Sequence, residues 1–213
     1  MEKISATIYD ILGYLIPGFL CILSFASFAS LFTKNSIYLE IIKNTNIVWQ
    51  FVLAYTMGHI VQSIVSLKRN PLYNESLELS KKYTNVDDSL INDFNVKVEK
   101  IIGKNPTYYS FLVLENNIPK NDIIYISTFR ALQGLYKGII GVIIVSIIEI
   151  IVIICKYLYY YKYIALNYNN IIIYFLVIFF LMYSLYCINK AHDIFLSIRI
   201  RSIINYYLLN NQN

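Results

Sequence analysis

Three groups of side chains in this sequence are of a type and spacing that could do chemistry. The first is a single carboxylate, Glu149, in the otherwise aliphatic run GVIIVSIIEIIVIIC, residues 141–155. Such a group either borders a polar path or is a neutral, hydrogen-bonded structural carboxyl, because a bare charge among Ile and Val is costly. The second is Tyr55, His59, Gln62, Ser63 and Ser66. Their spacing puts all five on one stripe of a helix. That stripe could line a pore or a proton path, or supply interhelical hydrogen bonds, each contributing roughly 0.6 kcal/mol. The third is a set of basic residues, Arg69, Arg130, Lys137, Arg199 and Arg201, with Tyr136, Tyr206 and Tyr207 among them. Guanidinium and ammonium groups beside aromatic rings suit an anionic ligand such as a nucleotide or a single-stranded oligonucleotide. They equally suit lipid phosphates.

Enzymatic patterns are missing. The sequence has no P-loop, no G-x-S-x-G and no H-E-x-x-H. It has two histidines, and its three cysteines, Cys21, Cys155 and Cys187, show no metal-binding spacing. No catalytic residues, metal or cofactor are expected. An intramembrane lipid-modifying enzyme, built on His59 and Glu149, is the least favoured reading.

The elements that must position these groups follow from composition. Of the 213 residues, 57% are hydrophobic and 15% charged, and the mean hydropathy is +0.53. Soluble domains carry about 25% charged residues. A water-soluble chain of this composition would expose too much apolar surface. A hydrocarbon core roughly 30 Å thick needs about 20 apolar residues in a helix. Segments near 11–32, 47–67, 138–155 and 171–188 meet or approach that length. A Tyr-rich stretch between the last two offers an aromatic belt. Glu2 and Asp10 argue against a cleaved signal peptide at the first segment.

The expected class is therefore all-α: a polytopic membrane protein with four transmembrane helices and a small cytoplasmic helical layer. Fourteen of the eighteen Lys and Arg fall in the N-terminus, in 68–137 and in the C-terminal tail. The positive-inside rule then places both termini and the long segment in the cytoplasm, and the heavy use of Ile, Asn, Lys and Tyr, read as coding drift in an AT-rich bacterial genome, puts the spans in a bacterial inner membrane. The domain reading is a transmembrane hairpin over 1–67, a helical insertion over 68–137, a second hairpin over 138–190 and a helical tail over 191–213. Within the insertion, Asp87 or Asp88 caps a helix that Gly103 and Pro106 end, and Leu90, Ile91, Phe94, Val98, Ile101 and Ile102 form its apolar stripe. A shorter helix covers TYYSFLVLENN. Another begins after Pro119 and runs into the third span, and the fourth span continues into the tail. These pieces look too small for a large core of their own.

Inside the spans, small residues mark packing faces. Gly58 lies beside the polar stripe, and Gly134, Gly138 and Gly141 lead up to Glu149. At 1.5 Å per residue, Glu149 lies roughly 16 Å and His59 roughly 12 Å from the cytoplasmic ends of their spans. Glu149 is thus expected to meet His59, Tyr55 or a symmetry copy of itself. In the first span Pro17 and Gly18 break the helix, as a gating hinge or as a packing device.

Three short stretches, GYLIPG (Gly13–Gly18), GHIVQ (Gly58–Gln62) and FRALQG (Phe129–Gly134), resemble small multi-span membrane proteins of bacterial antiphage defence. The Hailong-type membrane partner of a nucleotidyltransferase is similar in size and layout. The resemblance implies a homo-oligomeric channel whose opening depolarises an infected cell. It also implies gating by a nucleotide or short single-stranded DNA made by a partner nucleotidyltransferase. The expected function is accordingly an oligomeric channel or membrane-disrupting effector gated from the cytoplasm. The alternative is a non-conducting membrane anchor or assembly subunit.

Overall fold

The computed structural model describes residues 10–33, 37–66, 73–103, 106–107, 109–160 and 168–209. Among them every regular element is a helix. A π-helical turn, Ile11–Leu15, leads into α1, Ile16–Thr33. Then follow α2 (Ile37–Asn44), α3 (Ile47–Ser66), α4 (Tyr73–Thr84), α5 (Asp88–Ile102) and α6 (Ser110–Asn116). Two long helices complete the fold: α7, Lys120–Tyr160, of 41 residues, and α8, Tyr168–Leu209, of 42. Four helical segments are long and apolar enough to cross a membrane: Ile11–Thr33, Ile47–Val65, Ile123–Lys156 and Ile172–Leu209. The all-helical class read from composition is observed among the described residues, and so are four helices long and apolar enough to cross a membrane. Each long helix extends about 60 Å at 1.5 Å per residue, twice the hydrocarbon thickness, so part of each must leave the apolar layer.

The chain divides into two compact units. One comprises residues 13–65 and 135–189 and holds most of the apolar spans. The other comprises 66–134 and 190–213, with 1–12. Helices α7 and α8 each contribute one portion to each unit.

The span unit is held by close backbone approach. A side chain on Gly18 would collide with the Ala54 carbonyl, and one on Gly58 with the Tyr14 backbone. These reciprocal contacts bring the π turn and α1 against α3. Gly138 of α7 abuts the Pro17 ring, and Gly141 abuts Val61. Cys21, Val61 and Val142 are buried where α1, α3 and α7 meet, with Met57 and Val145 packed around them. Without a hydrophobic drive between helices in lipid, such small-residue contact is what holds spans together. Helix α2 packs back on α1. Its apolar side chains stay exposed, Ile41 at 55%.

The second unit corrects one expectation: residues 66–134 and 190–213 do build a substantial core. Fifteen buried hydrophobic residues form one cluster, including Phe94, Phe111, Leu114, Ile200, Ile203 and Ile204. The insertion alone is too small for this. The tail end of α8 supplies the missing apolar surface. Helix α5 has Asp87 at the N-cap position, without a side-chain capping hydrogen bond, and ends at the expected Gly103, where φ is +103°. Only part of its expected stripe is buried: Ile91, Phe94 and Val98 face inward, whereas Leu90 and Ile101 are exposed. Tyr73 stacks on Phe111 with ring centroids 4.9 Å apart and donates a 2.9 Å hydrogen bond to Asn95 Oδ1. Burial pushes the Tyr73 phenol above its ordinary pKa.

Candidate functional site

The polar stripe of α3 lies on the boundary of the helix's buried face. Gln62 points inward and donates from Nε2 to the Gly13 carbonyl oxygen. That carbonyl is the one an α-helical N–H at position 17 would have bonded, and Pro17 has none to give. A proline in one span therefore explains a glutamine in another. Apolar surroundings leave an orphaned carbonyl no water to turn to. Pro17 and Gly18 are both buried in this contact.

His59, Tyr55 and Ser63 emerge on the exposed side of that boundary. The imidazole of His59 lies flat on the Tyr14 ring, with centroids 3.8 Å apart, and edge-on to Tyr55 at 4.7 Å. Tyr14 and Tyr55 pack edge to face at 5.7 Å. The contacts of the His59 ring among the described residues are thus aromatic. The hydroxyls of Ser63 and Thr56 donate back to the carbonyls of His59 and Val52, at 2.8 and 2.9 Å, and so need no outside partner. Around them Phe51, Val52, Ile60 and Ile64 are exposed. His59 lies about 18 Å along the helix from Ile47, near the middle of a span. The side chain of Ser66 lies outside the described residues.

Glu149 does not meet His59 or Tyr55. It is 7% exposed and faces α1, where Ser24 donates to its Oε2 at 2.5 Å. The Ser24 hydroxyl is also 2.9 Å from that of Ser146, one turn before Glu149. The face of α7 carrying Gly138 and Gly141 packs on α1 and α3, and Ser24 is the polar group that Glu149 meets.

In the second unit, polar groups of α6, α7 and α8 converge around Glu115, which is 1% exposed. The buried guanidinium of Arg199 grips Glu115 Oε2, through Nη2 and through Nε at 3.1 Å. Its Nη1 donates to Gln133 Oε1 at 3.2 Å. Arg130, with its side chain 40% exposed, stands 3.8 Å from Glu115 Oε1. Beyond Gln133, at 3.4 Å, lies Nε2 of His192, whose Nδ1 is 3.3 Å from Asp193. Arg199 therefore differs from its expected role: its charge is neutralised inside the chain, by a glutamate that nothing in the spacing of TYYSFLVLENN singled out. Arg201 is exposed and Lys137 half-buried, in different units. Gly134 is buried. Arg69 lies outside the described residues. No group of three or more His, Cys, Asp or Glu side chains that could hold a metal occurs among the described residues. Comparison of the chain with protein-family models, with curated proteins and with solved structures finds no match.

Proposed function

We propose that this chain is the subunit of an oligomeric membrane channel or membrane-disrupting effector, controlled by an anionic ligand on the cytoplasmic side. The observation that carries the reading is the exposed imidazole of His59 at mid-span, in aromatic contact only among the described residues and ringed by aliphatic side chains. An ionisable group at that depth is expensive against acyl chains and usually faces protein or water. In a single chain the face carrying Tyr55, His59 and Ser63 is covered only in part, by Tyr14, and stays exposed. Several copies around an axis would supply both: a covered face and a polar path. Four helices alone enclose no wide conduit.

Control from the cytoplasm is supported by Arg130 and Arg201, which have exposed surface in the second unit. Arg130 sits at long range from Glu115. An incoming phosphate would compete with that carboxylate for its guanidinium. The resemblance of GYLIPG, GHIVQ and FRALQG to antiphage-defence membrane proteins supports a nucleotide or short single-stranded DNA as that ligand, made by a partner nucleotidyltransferase, and a bacterial inner membrane as the setting.

Ion flux from liposomes containing the purified protein tests the reading. The protein is expected to raise flux above that of empty vesicles, with a dependence on added nucleotide or oligonucleotide, and His59→Leu is expected to change it. Vesicles that stay as tight as empty ones in every condition would leave a non-conducting anchor as the function.

A further inference from the structure

Glu149 has a chemical requirement that the packing of the chain does not meet. Its side chain is more than nine-tenths buried. One carboxyl oxygen, Oε2, accepts from Ser24 at 2.5 Å. The other, Oε1, is enclosed and has no hydrogen-bond partner among the described residues. The Ser146 hydroxyl, 2.9 Å from that of Ser24, adds a further neutral oxygen. Among the described residues no cation pairs with the carboxylate. Cys21, also fully buried, is the titratable group of α1 on the Ser24 side, and it brings no positive charge. The cation of α7 nearest in sequence on the C-terminal side, Lys156, is two turns away. Its ammonium bonds the Phe32 carbonyl and lies 3.9 Å above the Phe32 ring.

The oxygen set therefore carries at most one negative charge in apolar surroundings. One small monovalent cation neutralises it. A divalent ion would leave a net positive charge in the same low-dielectric place. We propose that Glu149, Ser24 and Ser146 form an intramembrane site for a single monovalent cation, a proton or Na⁺, with Glu149 Oε1 as the atom that takes it up. Binding and release change the charge at the α1–α7 contact by one unit. The site is distinct from the exposed face of His59. The inference rests on the chain spanning a membrane and not on conduction, so vesicles that stay tight leave it standing.

Dicyclohexylcarbodiimide provides the test. A protonated carboxyl adds across its C=N bond to give an O-acylisourea, which rearranges to a stable N-acylurea. The whole reagent mass is retained on the side chain. The purified full-length protein in detergent is treated between pH 5.5 and 8.5, and the modified residue is located by mass spectrometry of peptides. Labelling is expected at Glu149, absent in Glu149→Gln, and falling as pH rises. If Na⁺ shares the site, Na⁺ slows labelling at fixed pH while K⁺ at equal ionic strength does not. If the site takes protons only, Na⁺ has no effect. Ser24→Ala, which leaves the carboxyl in place, is expected to shift the pH or Na⁺ midpoint by about tenfold in concentration. Thr56→Ala, exposed on α3, is expected to leave it unchanged. Absence of label on Glu149 throughout, or label indifferent to both pH and Na⁺, would overturn the proposal.

Discussion

One residue in this chain is explained by what another lacks. Gln62 bonds the Gly13 carbonyl because Pro17 has no N–H to offer it. The pairing predicts a double-mutant cycle. Gln62→Leu in the natural background is expected to destabilise the folded chain by about 1 kcal/mol. In a Pro17→Ala background, where the backbone N–H is restored, the same change is expected to cost much less. Equilibrium unfolding in mixed micelles, followed by circular dichroism, reads the difference, and equal costs in both backgrounds would refute the pairing. Glu115 and Arg199 are coupled more strongly, both almost fully buried. Arg199→Met leaves the buried Glu115 carboxylate with Arg130 alone, at 3.8 Å, and is expected to cost about 3 kcal/mol. Adding Glu115→Leu removes that charge as well. Most of the lost stability should then return, as measured by the same unfolding transition.

At the level of elements, the helices that sequence reasoning located are those whose signals lie in apolar period or in caps. Asp87 and Gly103 bracket α5: Asp87 stands at the N-cap without a side-chain capping hydrogen bond, and Gly103 takes the positive φ that ends the helix. Helix α4 escaped the reading because its inward stripe is Tyr73, Ser76, Leu77, Ser80 and Thr84, mostly small polar residues that carry no hydrophobic period. The hydroxyl of Thr84 donates to the Ser80 carbonyl at 2.6 Å, whereas that of Ser76 is buried with no hydrogen-bond partner among the described residues. Helix α2 was missed for a different reason: eight residues with no buried face leave little pattern. Close approach of α1 and α3, by contrast, was foreshadowed by Gly58 beside the polar stripe. A Cβ there meets backbone and not a flexible side-chain tip. Gly58→Ala is therefore expected to lower the apparent melting temperature in detergent, with a loss of about 1–3 kcal/mol. The exposed Ser63→Ala, further along the same helix, should change it little.

For the molecule as a whole, high apolar content with few charges foretold four helices long and apolar enough to cross a membrane. The candidate sites were legible only in part. Residue type pointed to His59, Gln62 and Glu149, and helical spacing put them at workable depths. Spacing alone cannot decide which neighbour a helix turns toward. That is set by where glycines let helices close: Gly18 on the Ala54 backbone, Gly58 on the Tyr14 backbone, Gly138 on the Pro17 ring. For the same reason Arg199, basic and beside a span, read as a ligand-binding residue until its partner Glu115 came into view from α6. The central functional claim is that the face of α3 bearing Tyr55, His59 and Ser63 adjoins a water-filled path between copies of the chain. The measurement that tests it most directly is thiol accessibility at position 63 in membranes. The protein would carry Ser63→Cys with Cys155 and Cys187, both exposed, replaced by serine. A membrane-impermeant methanethiosulfonate reagent is expected to modify that cysteine, at a rate that changes when the anionic ligand is added; a thiol that stays unmodified under all conditions would place this face in lipid and contradict the claim.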